Sequence, residues 1–173
     1  MRRKLSGMRQ KQKGYWQGDG LMVTWCIGHL IELAHASAYG EQYTKWEVEN
    51  LPIVPEEWEY EISKGKEEQF AIVKELMHRE DVDEIVCATD AGREGELIFR
   101  FVYQMAGCHI PFTRLWTSSM EEQALREGYE NRKPGAEFDT LYEAALCRTK
   151  ADWLVGINFT PACIHRCIEN PSM

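Results

Sequence analysis

Residues 84–98 have the sequence EIVCATDAGREGELI, in which an apolar segment gives way to a charged one at Asp90. The apolar segment, Glu84 to Thr89, has the length and β-branched content of a short buried strand. From Arg93 to Ala106 the apolar side chains recur at helical spacing, which predicts a helix soon after the strand. Asp90 is therefore expected at the carboxyl end of the strand, where open α/β sheets bind ligands.

The flanking segments extend this alternation of helices and strands. A helix is predicted from Glu67 to Arg79, and its buried face consists of Phe70, Val73, Leu76 and Met77. A further strand is predicted over 112–117. Ser119 and Glu122 have the spacing of a capping box, which predicts a helix that continues to about residue 131. Helix, strand, helix, strand, helix is the order of an α/β fold with a parallel sheet.

The segments nearer the two ends are less regular. Residues 21–27 are predicted to form a strand that ends at Gly28. Residues 34–66 lack periodicity but are rich in Tyr, Trp and Pro, which indicates an ordered excursion anchored by aromatic side chains. After a break at 133–135, one long helix is predicted over 138–157, and we place it in a second domain. Its expected packing residues are Leu141, Ala145, Trp153 and Leu154.

The composition is that of a globular chain of 173 residues, 44% of them hydrophobic and 28% charged. No apolar run approaches the roughly 20 residues of a membrane span, and the opening MRRKL lacks the apolar core of a signal peptide, so we expect a cytoplasmic protein.

The net charge of −8 argues against a nucleic-acid partner. However, residues 1–20 carry six bases and one acid, whereas residues 41–84 carry fourteen acids and five bases. The average therefore says little about any one face.

The six cysteines are predicted to be free thiols, since the chain has no secretory signal. Cys26, Cys87 and Cys147 lie in apolar runs and are expected to be buried. Cys163 and Cys167, with His165 between them, have the spacing of half a zinc site, but no second pair matches it.

The acidic motif itself predicts metal chemistry. Asp90 at the end of the strand and Glu94 in the first helical turn can face one point in space, and Mg²⁺ prefers one or two carboxylates while it keeps water or a phosphate. Arg93 between them is placed to bind that phosphate. The alternative is purely structural: Asp90 caps the helix, and Glu94 and Glu96 are acids favoured by the helix dipole.

Residues 88–98 (ATDAGREGELI) resemble the acidic motif of the TOPRIM domain in type IA DNA topoisomerases, in the form typical of the bacterial topoisomerase III branch. Four further segments agree in order, so that the resemblance covers about Gly7 to Thr160. They are VTWCIGHL (23–30), Trp46 with LPIVP (51–55), RLWTSS (114–119) and ADWLVGIN (151–158).

The resemblance implies a Mg²⁺-dependent enzyme that cuts one DNA strand through a tyrosine, passes another strand through the gap and reseals it without a high-energy cofactor. By position Asp90 is the metal ligand and Glu94 the second carboxylate. Gly92 stands where many type IA enzymes have a second Asp, which favours one ion over two. The implied domains are a TOPRIM domain over 1–120 and the first helices of the central domain over 121–160.

The resemblance also points to residues that contact DNA. Trp46 and Trp153 fall where similar topoisomerases contact DNA, and a Trp ring stacks on a base of any identity, as single-stranded segments require. For both tryptophans the alternative is a place in the core. His29, at a strand end near the expected sheet edge, is a secondary candidate. Arg148 is another, with an ion pair to Asp152 one turn later as its structural alternative.

The chain departs from the family pattern at both ends. The family opens with an apolar strand and Glu-Lys-Pro-Ser, whose Glu completes the metal site, and no Glu precedes Glu32 here. Residues 161–173 match nothing in the family. Codon degeneracy allows them, read two bases later, to encode a family-like continuation, so we expect a frameshift near Phe159. None of the seven tyrosines lies in a recognisable nucleophile motif.

We therefore expect a fragment of a type IA topoisomerase that cleaves no DNA by itself. Two alternatives remain. One is a non-enzymatic module that binds Mg²⁺ and nucleic acid for a partner. The other is a different TOPRIM enzyme, such as a primase or an overcoming-lysogeny-type nuclease, and the segments outside the acidic motif speak against it because they resemble topoisomerase.

Overall fold

The acidic motif lies between two parallel strands of a small sheet. The structure is a computed structural model, and it describes residues 10–18, 20–45 and 47–169, with side chains as far as residue 160. Strand β6 (Ile85–Cys87) leads through helix α2 (Arg93–Ala106) to strand β7 (Phe112–Arg114), which pairs parallel to β6. In this register Cys87 lies opposite Arg114. The predicted strand, helix and second strand are confirmed, although both strands are shorter than expected.

The predicted α/β fold with parallel strands is confirmed, and the sheet also has an antiparallel strand at its edge. Strand β8 (Lys133–Pro134) pairs antiparallel to β7, with Arg114 opposite Lys133. The connection from β7 to β8 passes through helix α3 (Glu122–Glu130). Within the described residues β6 has a strand partner on one side only, and that partner is β7.

Two helices pack the core against this sheet. Helix α1 (Glu67–Met77) buries Phe70, Val73, Leu76 and Met77, the face that the sequence predicts. Helix α2 spans the predicted residues and ends at Gly107, whose φ of 69° is the left-handed conformation that glycine adopts at helix ends. The hydrophobic core joins α1 and α2 to Leu30 and Ile31 and to Ala145 of the last helix.

The N-terminal part forms an antiparallel sheet of three strands. Strands β1 (Gln10–Gln12), β2 (Tyr15–Gly18) and β3 (Leu21–Thr24) pair in chain order. Only the third was predicted, and it ends at Thr24 instead of continuing to residue 27. Strand β4 (Ile31–Leu33) lies outside this sheet and pairs antiparallel with β5 (Tyr60–Ile62). The pairing brings together the two ends of the irregular segment between these strands.

The excursion is ordered by aromatic contacts, as predicted. Among the described residues between β4 and β5, three short 3₁₀ helices follow one another. The rings of Tyr39 and Trp58 meet the ring of Trp153 edge-on, with centroids 5.6 Å and 5.3 Å away. The Tyr39 hydroxyl also accepts the backbone N–H of Glu59 at 3.0 Å.

Helix α3 begins without the predicted capping box. Its first residue is Glu122 and the residue before it, Glu121, makes no side-chain cap. Ser119 lies two residues before the N-cap position: its Oγ accepts the N–H of Glu121 at 3.2 Å, which forms a local turn ahead of the helix. The capping-box prediction is therefore wrong, although the helix itself is confirmed.

The last helix, α4 (Asp139–Glu169), is longer than predicted. Ala145 is buried, and Leu141, Trp153 and Leu154 are half-buried, in agreement with the expected packing face. The helix packs mainly against α2. Across the described residues, no helix is both long enough and apolar enough to cross a membrane.

The four cysteines whose side chains the structure describes are free, and three of them are shielded from solvent. Cys87 and Cys108 are buried and Cys26 is half-buried, but Cys147 is exposed, which corrects the prediction that it is buried. Cys147 lies on the outer side of α4, where a short apolar run in the sequence does not face the core. Burial, and to a smaller degree the neighbouring Cys87, raises the pKa of Cys26 to about 11.

Thiol labelling should separate these cysteines. Because the thiolate is the reactive form, a raised pKa and burial both slow alkylation. We expect iodoacetamide at pH 8 to modify Cys147 well before Cys26 or Cys87, as measured by peptide mass spectrometry over time. Unfolding in urea is the control and should remove the difference. Modification of Cys26 as fast as Cys147 in the folded chain would contradict the packing described here.

Candidate metal site

Asp90 lies in a tight loop between β6 and α2. The loop is closed by Thr89, whose hydroxyl donates to the carbonyl oxygen of Gly95 at 2.7 Å. Gly95 is buried, and a Cβ built on it would lie 2.1 Å from the carbonyl oxygen of Asp90. Only a residue without a side chain allows this approach, so Gly95 keeps the Asp90 backbone against the first turn of α2.

The two predicted carboxylates and His29 lie on the surface of this loop. Asp90 and Glu94 are both exposed. His29, in the connection between β3 and β4, reaches the first turn of α2, where its Nε2 makes a short hydrogen bond with Oε1 of Glu94. The structure thus brings together two segments that are 65 residues apart in the sequence. Arg93 is also exposed, at the first position of α2.

The donor set fits a hard divalent cation that keeps most of its water. Among the residues that the structure describes, no three His, Cys, Asp or Glu side chains are grouped closely enough to enclose a metal ion. A site built from Asp90 and Glu94 alone has two carboxylates. Mg²⁺ suits such an open site, since it usually takes one or two carboxylates and completes its octahedron with water or phosphate. The helix N-terminus beside it favours a bound phosphate.

Directly beneath the loop lies a buried cluster of charges that the sequence analysis missed. Glu96 and Arg114 are both fully buried, and Arg114 Nε donates to Glu96 Oε2 at 2.9 Å. The other oxygen of Glu96 accepts Arg100 Nε at 2.9 Å, and Arg100 extends to Asp139 Oδ1 at 2.7 Å. Glu96 is therefore neither a metal ligand nor a simple first-turn acid; it neutralises two arginines in the interior.

Arg100 connects this cluster to the last helix. Burial alone would lower its pKa, but the hydrogen bonds to Asp139 and Glu96 outweigh that effect and hold its pKa above the ordinary value. Its guanidinium also lies 4.7 Å from the ring centre of Phe112 and donates to the carbonyl oxygen of Gly135 at 2.9 Å. The cluster is thus hydrogen-bonded on every side, as a buried charge requires.

Arg114 fixes the course of the backbone through the acidic motif. Its Nη2 donates to the carbonyl oxygen of Asp90 at 2.6 Å, and its Nη1 donates to that of Thr89 at 2.7 Å. The same Nη1 also lies 3.2 Å from the carbonyl oxygen of Cys87 and 2.9 Å from that of Leu115. One guanidinium therefore holds the end of β6, the loop and the end of β7. The signal in the sequence was an arginine inside a predicted buried strand.

The fold and this loop agree with a comparison against protein families, in which the Toprim domain matches residues 4–119. The chain belongs to the Toprim domain family. The match includes the acidic motif, the strand that carries Arg114 and the N-terminal sheet.

Relatives of this Toprim chain include much longer proteins. The DNA topoisomerase 3 of Shouchella clausii is 45% identical over 156 residues, which are 90% of this chain and 21% of that protein. Those of Bacillus licheniformis and Bacillus subtilis are 46% and 44% identical over 153 residues, which are 88% of this chain and 21% of each relative. The chain thus spans about a fifth of the length of the curated relatives it matches.

The remaining predicted site residues lie beyond the acidic motif. Trp46 falls outside the described residues. Trp153 is half-buried, and its indole N–H donates to the carbonyl oxygen of Ala34 at 3.0 Å within the aromatic cluster. Arg148 pairs with Asp152 at 3.5 Å, and both are exposed. Trp153 and Arg148 also lie beyond the residues matched by the Toprim domain. Their geometry is that of the structural alternatives, since both are engaged within the chain.

Proposed function

We propose that this chain is the metal-binding Toprim part of a type IA DNA topoisomerase, in which Asp90 and Glu94 hold one Mg²⁺. The observation that carries the proposal is the pairing of an exposed Asp at the end of β6 with an exposed Glu in the first turn of α2. This pair occurs in a chain that is 43–46% identical to DNA topoisomerase 3 proteins. In the whole enzyme the function is breakage, passage and rejoining of one DNA strand without ATP, in the bacterial cytoplasm.

Each residue of the site has a distinct task in this proposal. When bound, Mg²⁺ neutralises the phosphodiester at which the strand is cut. Asp90 and Glu94 bind and orient the ion. His29 holds Glu94 by its hydrogen bond and can hold a proton at Nε2, and Arg93 binds a DNA phosphate at the start of α2. Arg114 touches no substrate; it is a positioning residue for the Asp90 backbone.

The rest of the chain also has a domain assignment and DNA contacts in this proposal. Residues 1–120 form the Toprim domain, and 121–160 begin the helical domain that follows it. DNA contacts by Trp46, Trp153 and Arg148 belong to the proposal as well, with single-stranded segments as the partner. For Arg148 and Trp153 such contacts require that the ion pair and the aromatic cluster leave part of each side chain accessible.

Magnesium titration tests the site. Replacement of one of two carboxylate ligands should lower the affinity for Mg²⁺ at least about tenfold, as even indirect changes around metal ligands do. We expect this result for Asp90→Asn and for Glu94→Gln by isothermal titration calorimetry. Glu143→Gln, an exposed carboxylate on α4, is the matched control and should bind like the unchanged chain. Equal affinity in Asp90→Asn and the control would contradict the proposal.

A plasmid relaxation assay distinguishes the enzyme from a non-enzymatic module. None of the seven tyrosines is in a recognisable nucleophile motif, so this chain with Mg²⁺ should leave negatively supercoiled plasmid unchanged. The full-length Bacillus subtilis relative is the positive control. Exchanging the matching segment of that relative for residues 10–160 of this chain should retain relaxation if the chain is a topoisomerase part. Loss of relaxation in this chimera, with Mg²⁺ binding intact, would favour the non-enzymatic module.

A further inference from the structure

The outer face of the N-terminal sheet carries an exposed apolar surface. In β3 and the residues after it, Val23, Trp25 and Ile27 are exposed and the residues between them are turned inward. Trp16 of β2 lies opposite Val23 and is exposed on the same face. We call these four residues, together with Lys11, the tryptophan face. The two tryptophans leave 37% and 39% of their surface exposed, although neither is part of the acidic motif.

The rigidity of this face comes from the other side of the same sheet. Thr24 donates to the carbonyl oxygen of Gly14 at 2.8 Å, and Gln69 of α1 donates to Thr24 Oγ1 at 3.2 Å and to the carbonyl oxygen of Trp25 at 2.8 Å. The inner side is thus bound to α1. The outer residues are held in place from this side and remain partly exposed on the other, so the tryptophan face is a preformed surface.

The charge of the tryptophan face contrasts with that of the chain. The three strands contain one charged residue, Lys11, whose Nζ lies 5.8 Å from the ring centre of Trp16. At the opposite end Lys66 Nζ donates to the carbonyl oxygen of Ile27 at 2.7 Å. Residues 20–28 contain no charged side chain at all. The tryptophan face thus has a cation at each end and no carboxylate in its strands, although the chain has a net charge of −8. This charge favours an anionic partner on this face.

The tryptophan face leads to the candidate metal site. Ile27 is two residues before His29, and His29 contacts Glu94. The backbone bends at Ile27 and Gly28, where the φ of Gly28 is 66°, so Trp25 and His29 lie closer together than the about 13 Å that four extended residues span. A nucleic-acid strand on the tryptophan face is therefore within a few of its units of the acidic motif.

We propose that the tryptophan face binds single-stranded nucleic acid, with unpaired bases stacked on Trp16 and Trp25 and phosphates near Lys11 and Lys66. Aromatic rings in a cationic setting are the features that such strands need, and stacking accepts any base. A duplex offers no exposed base planes to stack on these rings. The inference deepens the proposed function, because it gives the strand that approaches Mg²⁺ a path on this chain.

Fluorescence anisotropy with a fluorescein-labelled oligothymidylate tests this surface on the full chain. The titration is done in EDTA, so that the metal site does not contribute. Loss of one stacked base costs about 1–3 kcal/mol, so Trp16→Ala and Trp25→Ala should each weaken binding about tenfold or more. Trp25→Phe should keep most of the affinity, and Lys11→Glu should weaken binding and flatten its salt dependence. Phe159→Ala, an exposed aromatic on α4, is the matched control and should change nothing.

The outcomes separate this proposal from its rivals. Unchanged binding in both Trp→Ala variants, with melting temperatures near that of the control, would overturn it. Equal affinity for a duplex of the same length would also overturn it. Size-exclusion chromatography that shows a concentration-dependent dimer lost in Trp25→Ala would assign the face to a second copy of the chain and overturn it as well. Calorimetry reports Mg²⁺ binding and anisotropy in EDTA reports oligonucleotide binding, both on the unchanged chain, so failure of the metal site and failure of the tryptophan face are distinguishable.

Discussion

Arg114→Met should destabilise the chain by about 3–5 kcal/mol, because it leaves Glu96 buried with half of its charge compensation removed. Glu96 and Arg114 are both fully buried, and water cannot replace the lost guanidinium. A loss of this size is about a fifth or more of the stability of an ordinary domain. Urea unfolding monitored by circular dichroism measures it directly.

Arg132→Met is the matched control. Arg132 donates to Glu84 Oε2 at 2.9 Å, the same distance as in the buried pair, but both side chains of this pair are partly exposed. Because water can solvate both groups after the change, the cost should stay near about 1 kcal/mol or below. Equal destabilisation by the two substitutions would contradict the description of the buried cluster.

A double variant separates the charge effect of Arg114 from its effect on the loop. Adding Glu96→Leu to Arg114→Met removes the uncompensated carboxylate, and buried ion pairs replaced by apolar side chains often cost little. We expect at least half of the lost stability to return. The affinity for Mg²⁺ that Arg114→Met is expected to lose should not return, because the carbonyl oxygens of Thr89 and Asp90 still lack their donor. Recovery of both properties would show that Arg114 acts through stability alone.

The sequence predicted the part of the fold that follows from local patterns. The strand before Asp90, the helix from Arg93 to Ala106 and the buried face of α1 depend on periodicity that a few neighbouring residues create. The direction of β8 depends on which segments meet in space, and no local pattern encodes that. The pairing of β1 with β2 does have a local signal, the two-residue loop Lys13-Gly14 with a φ of 78° at Gly14, and the sequence analysis missed it. The capping-box prediction was wrong because Ser119 has the right spacing from Glu122 but lies two residues before the actual N-cap, Glu121.

The candidate site shows the same division. Asp90, Arg93 and Glu94 were predicted from their order at the end of a strand, and the contact of His29 with Glu94 agrees with the expected sheet edge. Arg114 was missed as a functional residue because its partners are backbone carbonyl oxygens, which leave no pattern in a sequence. What identifies it is an arginine placed inside a short buried strand, since charged residues are almost never fully buried without partners.

Gly95→Ala should lower both the stability and the affinity for Mg²⁺. The added Cβ would lie 2.1 Å from the carbonyl oxygen of Asp90, far inside contact distance, and that atom belongs to the backbone that Arg114 holds. Alanine is favoured over glycine in a helix by about 1 kcal/mol, so propensity alone predicts a more stable chain. Overpacking in a close contact costs about 1–3 kcal/mol, and we expect this cost to exceed the gain from helix propensity.

Two glycines of the same chain serve as controls for Gly95→Ala. Gly156 lies on the exposed side of α4, and a Cβ there meets nothing within 4 Å, so Gly156→Ala should stabilise the chain by up to about 1 kcal/mol. Gly92 precedes α2 with an extended φ of 178° and is equally open, so Gly92→Ala should leave Mg²⁺ affinity unchanged and stability within about 1 kcal/mol. Calorimetric Mg²⁺ titration and urea unfolding of the three variants measure both properties. If Gly95→Ala behaved like Gly156→Ala, the Asp90 backbone would not be in contact with α2, and the rigid placement of the metal ligands would be wrong. A loss of affinity in Gly95→Ala alone would mean that the position of the Asp90 backbone, and not merely the presence of its carboxylate, determines metal binding.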